Sequence, residues 1–349
     1  MSEKIHFFNC LEEPFSLHGL HTPKELGSFT RLPYSFDDDK TLKEGITRWM
    51  RTTTGGRVRF VTDSPVIHIH SYCPYYFRMG NVVEASVHGF DMYVSSPGGN
   101  GKQVYAKKFF PNEISDEKLD FEGSFDFGSS EEREITLYFP LFGAVDRLLI
   151  GLKEGCFLSA PKSYKTEKPM VFYGSSVTHG ASASRPGMTY PAMLSRWLDC
   201  DFINLGLNGS DWGEASIAEY ISALPMSAYI HGYGYNEPSL EEYSDKHYRF
   251  YKIIRDKNPK LPIIMMSSPV EISIQGKDSA MRLAEKRKGV IRSYMRAVES
   301  GDTNVYFVDG FSVLGDEMAT EATIDGTHPT DLGFWNIAKK LYPILDKNL

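Results

Sequence analysis

Cysteines and long apolar segments are both scarce in this sequence, and their scarcity bears on where the protein resides. The four cysteines are widely spaced among 349 residues and form no CxxC pair. No stretch approaches the ~18 apolar residues that a membrane-spanning helix needs. Residues 1–7 also lack the apolar core that a signal peptide requires. We therefore expect reduced thiols, a cytoplasmic protein and no membrane partner.

A surplus of positive charge is missing as well. The chain has 38 Lys and Arg against 45 Asp and Glu, which gives a formal net charge of −7 at pH 7. Because a nucleic-acid interface needs a basic face, we expect no nucleic-acid partner, and a small or neutral substrate fits better. The length is sufficient for two domains, and the sequence contains no internal repeat or low-complexity tract.

Residues 1–160 show the period-two alternation of β-strands. Apolar and polar residues alternate between turn signals, which predicts short antiparallel strands. The predicted strands cover residues 57–61, 66–70, 82–87, 90–94, 103–110, 133–139 and 147–152. The glycine-rich segment 95–101 is typical of a hairpin loop, and no helix is predicted in this half. The pattern predicts an N-terminal antiparallel β-sandwich of jelly-roll-like type.

The polar, proline-bounded segment 159–169 predicts a boundary, with a second domain over residues 161–349. Beyond it, strands and helices alternate, which predicts an α/β fold with a doubly wound parallel sheet. The predicted strands are 171–173, 201–205, 228–231, 261–267 and 305–308. The predicted helices are 190–198, 215–224, 240–257, 279–300 and 331–345, the last with Thr330 or Asp331 as its N-cap.

The first strand of this second domain leads into a turn of small residues, Gly174, Ser175 and Ser176. Active sites of open α/β sheets lie at the carboxyl ends of their strands. A serine placed there becomes a nucleophile when an oriented base removes its proton. Ser176 is therefore the candidate nucleophile, although a small polar residue before a helix is also a common N-cap.

The segment Asp325-Gly326-Thr327-His328 offers a base and a group that orients it. An aspartate three residues before a histidine in a tight loop can hold one ring nitrogen and leave the other facing a serine. The plain alternative is a turn at Asp-Gly beside an ordinary loop histidine. Both interpretations can hold together, because the turn itself can bring the carboxylate to the ring.

An acyl-transfer site also needs donors where negative charge develops on oxygen. Segment 204–209 contains Gly206, which lets backbone approach a ligand closely. Segment 234–238 contains Asn236, whose side-chain amide is a donor, with turn chemistry before Pro238 as the alternative. Both segments lie between the serine and the histidine in the chain.

The order Gly-x-Ser, Asn-x-Gly, Gly-x-Asn and Asp-x-x-His resembles the SGNH (GDSL-type) hydrolases, from about residue 169 to the C-terminus. The Gly-x-Ser-x-Gly elbow of α/β-hydrolases is absent, which disfavours that relative. The chain departs from the family pattern at Ser175, where aspartate is more frequent, and at Glu237, where many members have aspartate. The variant first motif and the preceding β-sandwich resemble the carbohydrate-esterase-like branch.

This resemblance implies a role for each motif residue. Ser176 would be the nucleophile, His328 the base, and Asp325 the group that orients the ring. The oxyanion hole would consist of the backbone amides of Ser176 and Gly206 and the side chain of Asn236. The implied activity is that of a serine esterase that removes small acyl groups, acetyl in particular, from carbohydrates, without a metal or organic cofactor.

Two other functions stay open from the sequence. An acyltransferase would use the same residues but pass the acyl group to a sugar or natural-product hydroxyl. A catalytically inactive carbohydrate-binding or scaffold protein would have lost part of the set, and the presence of Ser176, His328 and Asp325 argues against it. Substrate assignment by analogy of fold is a weak argument in either case.

Three further residues are candidate contacts for an acylated small carbohydrate, namely His179, Trp212 and Glu237. His179 follows Ser176 by three residues and would line the acyl pocket or lie on a helix surface. Trp212 suits stacking on a sugar ring, with packing of its own loop as the alternative. Glu237 is the neighbour of Asn236 in the third motif.

Two features of the N-terminal half have a binding and a structural interpretation. His68 and His70 share one face of a strand, but no third ligand has suitable spacing, so we interpret them as a solvent-facing pair and not as a metal site. The aromatic cluster is Tyr72, Tyr75, Tyr76 and Phe77. It would serve as a carbohydrate platform or, as we prefer, as an interdomain or subunit contact compatible with a homo-oligomer.

Overall fold

The computed structural model describes residues 4–96, 102–111, 120–315 and 318–349. They divide into two compact units. The sandwich unit contains residues up to 33, 50–165 and 184–187, and the α/β unit contains 34–49, 166–183 and 188–349. A single boundary at 160/161 therefore describes the chain incompletely. Segment 34–49 belongs with the second unit because its side chains pack there, as with Phe36 against Tyr220 at 5.7 Å between ring centroids.

The sandwich unit is built from short antiparallel strands. In chain order they are β1 (Ile5–Asn9), β2 (Ser16–His18), β3 (Arg57–Thr62), β4 (Val66–Tyr72), β5 (Tyr75–Tyr76), β6 (Phe90–Ser95), β7 (Val104–Phe109), β8 (Asp120–Asp126), β9 (Arg133–Tyr138), β10 (Gly143–Ala144), β11 (Arg147–Lys153) and β12 (Leu158–Ser159). Within the described residues, one sheet has the order β1-β11-β4-β8 and a second has the order β12-β3-β9-β6-β7. The predicted antiparallel sandwich is confirmed.

Alternation along the strands creates the core of this unit. On β4, Ile67 and Ile69 are buried while His68 and His70 are half-exposed, since successive side chains of a strand point to opposite faces. The two isoleucines join Val58 and Phe60 of β3 in one apolar cluster. The period-two pattern in the sequence therefore reflects the burial of alternate side chains in a core that the two sheets share.

Two local predictions for this half were wrong. Residues 84–87, predicted within the strand 82–87, lie in the short helix α3 (Glu84–His88), where the consecutive residues Ser86, Val87 and His88 are buried in place of the alternate burial of a strand. The expectation of no helix also fails at α1 (Pro23–Leu26) and α2 (Ile46–Met50). Most of the predicted hairpin loop 95–101 lies outside the described residues, although β6 and β7 on either side of it pair antiparallel.

The α/β unit alternates strands and helices as predicted. Its strands are β13 (Thr166–Gly174), β14 (Cys200–Gly206), β15 (Ala228–Gly232), β16 (Ile263–Met266) and β17 (Val305–Val308). Its helices are α4 (Ser176–His179), α5 (Tyr190–Leu198), α6 (Ala215–Ala223), α7 (Leu240–Lys257), α8 (Lys277–Glu299) and α9 (Asp331–Asn348), the last with Thr330 as N-cap. Among the described residues, no helix of the protein has the length and apolar character to cross a membrane.

The strand order determines where a site can form. Within the described residues, the sheet is parallel with the order β14-β13-β15-β16-β17. The chain leaves the end of β13, returns on one side as β14, and then crosses to the other side as β15. Such a reversal of direction opens a crevice at the carboxyl ends of the strands. The doubly wound sheet is confirmed, and β13 delivers the Gly-Ser-Ser turn to that crevice.

Candidate active site

Ser176 lies at the start of α4, directly after strand β13, which lies between β14 and β15 in the sheet. The side chain of Ser175 accepts a hydrogen bond from Val177 N at 3.3 Å and is the N-cap of this helix. Capping is therefore done by the preceding serine, and the hydroxyl of Ser176 is available for another partner. Ser176 is buried, with 7% of its surface exposed.

The serine, histidine and aspartate, far apart in sequence, form one hydrogen-bonded chain. Ser176 Oγ lies 2.9 Å from His328 Nε2 across 152 positions of sequence. His328 Nδ1 lies 2.7 Å from Asp325 Oδ2. A carboxylate at Nδ1 keeps Nε2 as the acceptor for a serine hydroxyl, which is the geometry of an activated nucleophile.

Asp325 also organises the loop that holds the histidine. Its Oδ1 accepts hydrogen bonds from the backbone N–H groups of Thr327 at 3.0 Å and His328 at 2.8 Å. Partial burial acts to raise the pKa of Asp325, but the hydrogen bonds from His328 and Thr327 lower it below its ordinary value. The turn interpretation and the orienting interpretation therefore hold together, as the sequence allowed.

Gly206 has a different surrounding from the one predicted. Its N–H donates to Asn204 Oδ1 at 2.9 Å and is therefore already engaged. A Cβ at this position would come within 2.1 Å of His179 N, so glycine is required for packing of β14 against α4 and not for approach of a ligand. The predicted role of Gly206 as an oxyanion-hole donor is at odds with this arrangement.

Asn236 is held by a buried carboxylate that the sequence analysis did not identify. Its Nδ2 donates to Asp211 Oδ1 at 2.7 Å, and Gly234 N donates to Asp211 Oδ2 at 3.2 Å. Asp211 is fully buried, and burial raises its pKa to about 6 against the opposing effect of these hydrogen bonds. The sequence signal that could have identified Asp211 is an acidic residue directly after Gly209 and Ser210, which follow the second motif.

The three predicted substrate contacts are all engaged within the protein. His179 is fully buried, with Nδ1 at 2.9 Å from Gly206 O. Glu237 is also buried and forms an ion pair with Lys246 at 2.7 Å. Trp212 is half-buried beneath the ammonium group of Lys43, which lies 4.0 Å from the ring centroid. The packing interpretations therefore describe His179 and Trp212 better than exposure to a ligand does.

The candidate groups of the sandwich unit show ordinary surface chemistry. His70 Nε2 lies 3.2 Å from Asp120 Oδ1, in keeping with a solvent-facing polar pair. No group of three or more His, Cys, Asp or Glu side chains suited to a metal occurs in the part of the chain that is described. In the aromatic cluster, the Tyr76 ring packs edge-on against His88 at 4.3 Å within the unit.

Comparison with known families accounts for nearly the whole chain. Residues 167–346 match the GDSL-like lipase/acylhydrolase family, and residues 5–158 match the N-terminus of SGNH-hydrolase-type esterases. The chain belongs to the GDSL-like lipase/acylhydrolase family. This confirms the predicted resemblance and supports an esterase or acylhydrolase activity for this family member.

Solved structures of similar proteins share both halves of this architecture. A protein described as a GDSL-like lipase from Bacteroides ovatus is 29% identical, with a TM-score of 0.86 over 99% of this chain and 98% of its own. A salicylyl-acyltransferase from a tetracycline biosynthetic pathway is 21% identical, with a TM-score of 0.76 over 96% and 95%. A family two carbohydrate esterase from Cellvibrio japonicus is 14% identical, with a TM-score of 0.62 over 99% of each chain. No curated protein matches the sequence.

Proposed function

We propose that the protein is a serine esterase that hydrolyses small acyl esters, acetyl esters in particular, of carbohydrates. The observation that supports this most directly is the hydrogen-bonded chain from Ser176 through His328 to Asp325. Ser176 Oγ attacks the ester carbonyl while His328 Nε2 takes its proton. His328 then gives the proton to the leaving alcohol, and water, activated by the same nitrogen, releases the acyl group from Ser176.

The oxyanion of each tetrahedral intermediate needs donors around it. We assign this role to the backbone N–H of Ser176 and the side-chain amide of Asn236. Because the N–H of Gly206 is engaged, we propose Gly209 as the third donor. Gly209 has a φ of +84° and its α-carbon faces open space, with nothing within 4 Å of an added Cβ. Lys43 Nζ donates to the carbonyl of Gly209 at 2.8 Å and so holds the peptide that follows Gly209.

The carbohydrate part of the proposal has a separate support. The family two carbohydrate esterases match this chain over both units, as the Cellvibrio japonicus enzyme does. The likeness at this identity concerns the fold, so the sugar and the acyl group are proposed by analogy. We also propose a cytoplasmic location, because all four cysteines are free thiols, a state that reducing compartments maintain.

An acyltransferase is the second candidate. The TM-score of the salicylyl-acyltransferase, 0.76, is higher than that of the Cellvibrio japonicus carbohydrate esterase, 0.62. The same acyl-enzyme on Ser176 would then react with an alcohol in place of water. Product analysis with a sugar alcohol as competing acceptor separates the two, since a transferase forms the new ester faster than it releases free acid.

A screen of acetylated sugars and p-nitrophenyl esters of increasing chain length tests the proposal. We expect turnover of the acetyl esters, with rates falling as methylenes are added if the acyl pocket is closed around a small group. Ser176→Ala should abolish turnover and retain binding of the sugar. Ser222→Ala, which removes another buried hydroxyl on α6, is the matched control and should keep the wild-type kcat. Unchanged activity in Ser176→Ala would refute the esterase mechanism.

A further inference from the structure

The hydrogen bond between Asp211 and Asn236 joins the two loops on either side of the nucleophile. Asp211 lies in the loop after β14, and Asn236 lies in the loop after β15. These strands are the two neighbours of β13, whose carboxyl end carries Ser176. The contact of 2.7 Å therefore connects the flanking loops at the carboxyl edge of the sheet, where Ser176 lies.

The chemistry of the two side chains makes this contact directional. An ionised carboxylate only accepts hydrogen bonds, so it selects the nitrogen end of the Asn236 amide and excludes the oxygen end. One amide hydrogen is used by Asp211, and the second is left for another acceptor. Without the carboxylate, a rotation of 180° would exchange the donor for an oxygen, which would repel an oxyanion.

Besides the hydrogen bond from Gly234 N to Asp211 Oδ2, side chains of two helices hold the backbone around Asn236. Tyr243 Oη donates to Tyr233 O at 3.0 Å, and Lys286 Nζ donates to Tyr235 O. Arg282 Nη2 donates to Glu237 O at 3.0 Å. Since side chains from α7 and α8 hold the peptide groups of this loop, the rotation of the Asn236 amide is the freedom that Asp211 removes.

We infer that Asp211 is a positioning residue that orients the Asn236 amide as an oxyanion donor. This inference rests on the proposed function. Asp211 acts through Asn236 and does not touch the substrate. Its contribution appears when charge develops on the carbonyl oxygen, so it changes kcat more than KM.

A double-mutant cycle on p-nitrophenyl acetate hydrolysis tests the inference. Loss of one oxyanion donor costs about 10²–10³-fold in kcat, which sets the expectation for Asn236→Ala. Asp211→Asn should lower kcat by about 10-fold or more with little change in KM, because its own amide no longer selects one end of Asn236. In the double variant we expect the kcat of Asn236→Ala alone, since Asp211 has nothing left to orient.

Two outcomes of the cycle overturn the inference. One is a kcat in Asp211→Asn that equals wild type. The other is a double variant whose fold-loss in kcat equals the product of the two single losses, which would mean that Asp211 does not act through Asn236. Asp302→Asn is the control for removal of a buried carboxylate, because Asp302 pairs with Arg255 and precedes β17 at the amino edge of the sheet. It should lower the Tm and keep kcat.

A measurement on the wild-type protein covers the case in which Asp211→Asn fails to fold. The side-chain amide of Asn236, assigned by its loss in Asn236→Ala, should show one NMR proton shifted strongly downfield by the carboxylate and the other unshifted. Two unshifted protons would overturn the inference. Inactivity of Ser176→Ala on p-nitrophenyl acetate would show that the proposed serine esterase mechanism stands even if the positioning role of Asp211 fails.

Discussion

The two edges of the parallel sheet hold buried carboxylates with very different surroundings. At the amino edge, Asp302 accepts Arg255 Nε at 2.8 Å and Tyr251 Oη at 2.6 Å. The remaining guanidinium nitrogens of Arg255 donate to backbone carbonyls of residues 258, 261 and 304. At the carboxyl edge, Asp211 accepts only from Asn236 and Gly234 among the described residues, and burial raises its pKa.

This difference separates a structural network from a functional one. A buried ion pair whose hydrogen bonds are all satisfied fixes the fold and has no spare capacity for a ligand. The Asp211 carboxylate, with hydrogen bonds from neutral donors, has a perturbed pKa, as many groups at catalytic sites do, and leaves one hydrogen of the Asn236 amide free for another acceptor. Substitutions at the two edges should therefore separate activity from stability.

Removal of the base should have the largest effect, and it should fall on activity alone. For His328→Ala we expect a loss of about 10⁴-fold or more in kcat, because the serine loses its proton acceptor. The Tm should stay near that of wild type. Steady-state kinetics and a thermal melt check this, and retention of a tenth of the wild-type kcat would contradict it.

Breaking the amino-edge network should affect stability alone. Arg255→Ala removes the cation that pairs with the largely buried Asp302 carboxylate, which keeps its hydrogen bond from Tyr251, and should cost up to about 3–5 kcal/mol of unfolding free energy. Urea denaturation measures the loss, and kcat of the folded fraction should equal wild type. A variant of normal stability with reduced kcat would remove the distinction between the two edges.

A buried histidine pair, His231 on β15 and His247 on α7, should make the fold sensitive to acid. Burial lowers the pKa of His231 to about 3 and that of His247 well below 6.5. Below pH 6.5 the two histidines bind protons in the unfolded chain but not in the folded chain. Each histidine therefore lowers the free energy of unfolding by about 1.4 kcal/mol for each unit that the pH falls. This continues down to about pH 3 for His231. Above pH 6.5 neither state is protonated, and the effect vanishes.

Urea midpoints measured between pH 7.5 and 5 check this dependence. The raised pKa of Asp211 acts in the opposite direction and offsets part of the slope below about pH 6, so Asp211→Asn should steepen it. A stability that is flat over this range would show that the histidines titrate normally.

The smallest effect is expected at the cap of the nucleophile helix. Ser175→Ala removes the hydrogen bond to Val177 N and should cost about 1 kcal/mol of stability. Its effect on kcat should be far smaller than that of any substitution at Ser176. Equal losses of kcat at both serines would mean that the hydroxyl of Ser175 takes part in the chemistry.

Much of the α/β unit could be predicted because each strand is a buried run between amphipathic helices. The bounds of α7 and β17 agree with the predictions to the residue. In the sandwich unit, the two- and three-residue strands β2, β5, β10 and β12 were missed, and so were the longer strands β1 and β8. Both are outer strands of their sheet, so few of their residues face the core and the apolar alternation is weak.

The site was predictable in its side-chain chemistry and less so in its backbone chemistry. Ser176, His328 and Asp325 meet as expected, at the edge of the sheet where the parallel strands end. The engagement of the Gly206 N–H depends on the side-chain conformation of Asn204 within β14, which a motif does not encode. Asp211 was missed because its role requires knowing that the loops after β14 and β15 are neighbours.

Residues 34–49 make the α/β unit discontinuous in sequence. A gene fragment that starts at the linker would omit Lys43 and Trp49, whose side chains pack on Trp212 and His179. Exchanging catalytic halves between relatives would therefore need two joins on the N-terminal side, around this segment, in addition to one at the linker. During synthesis residues 34–49 precede their packing partners by more than a hundred residues, so the α/β unit can complete its folding only after those later residues have been made.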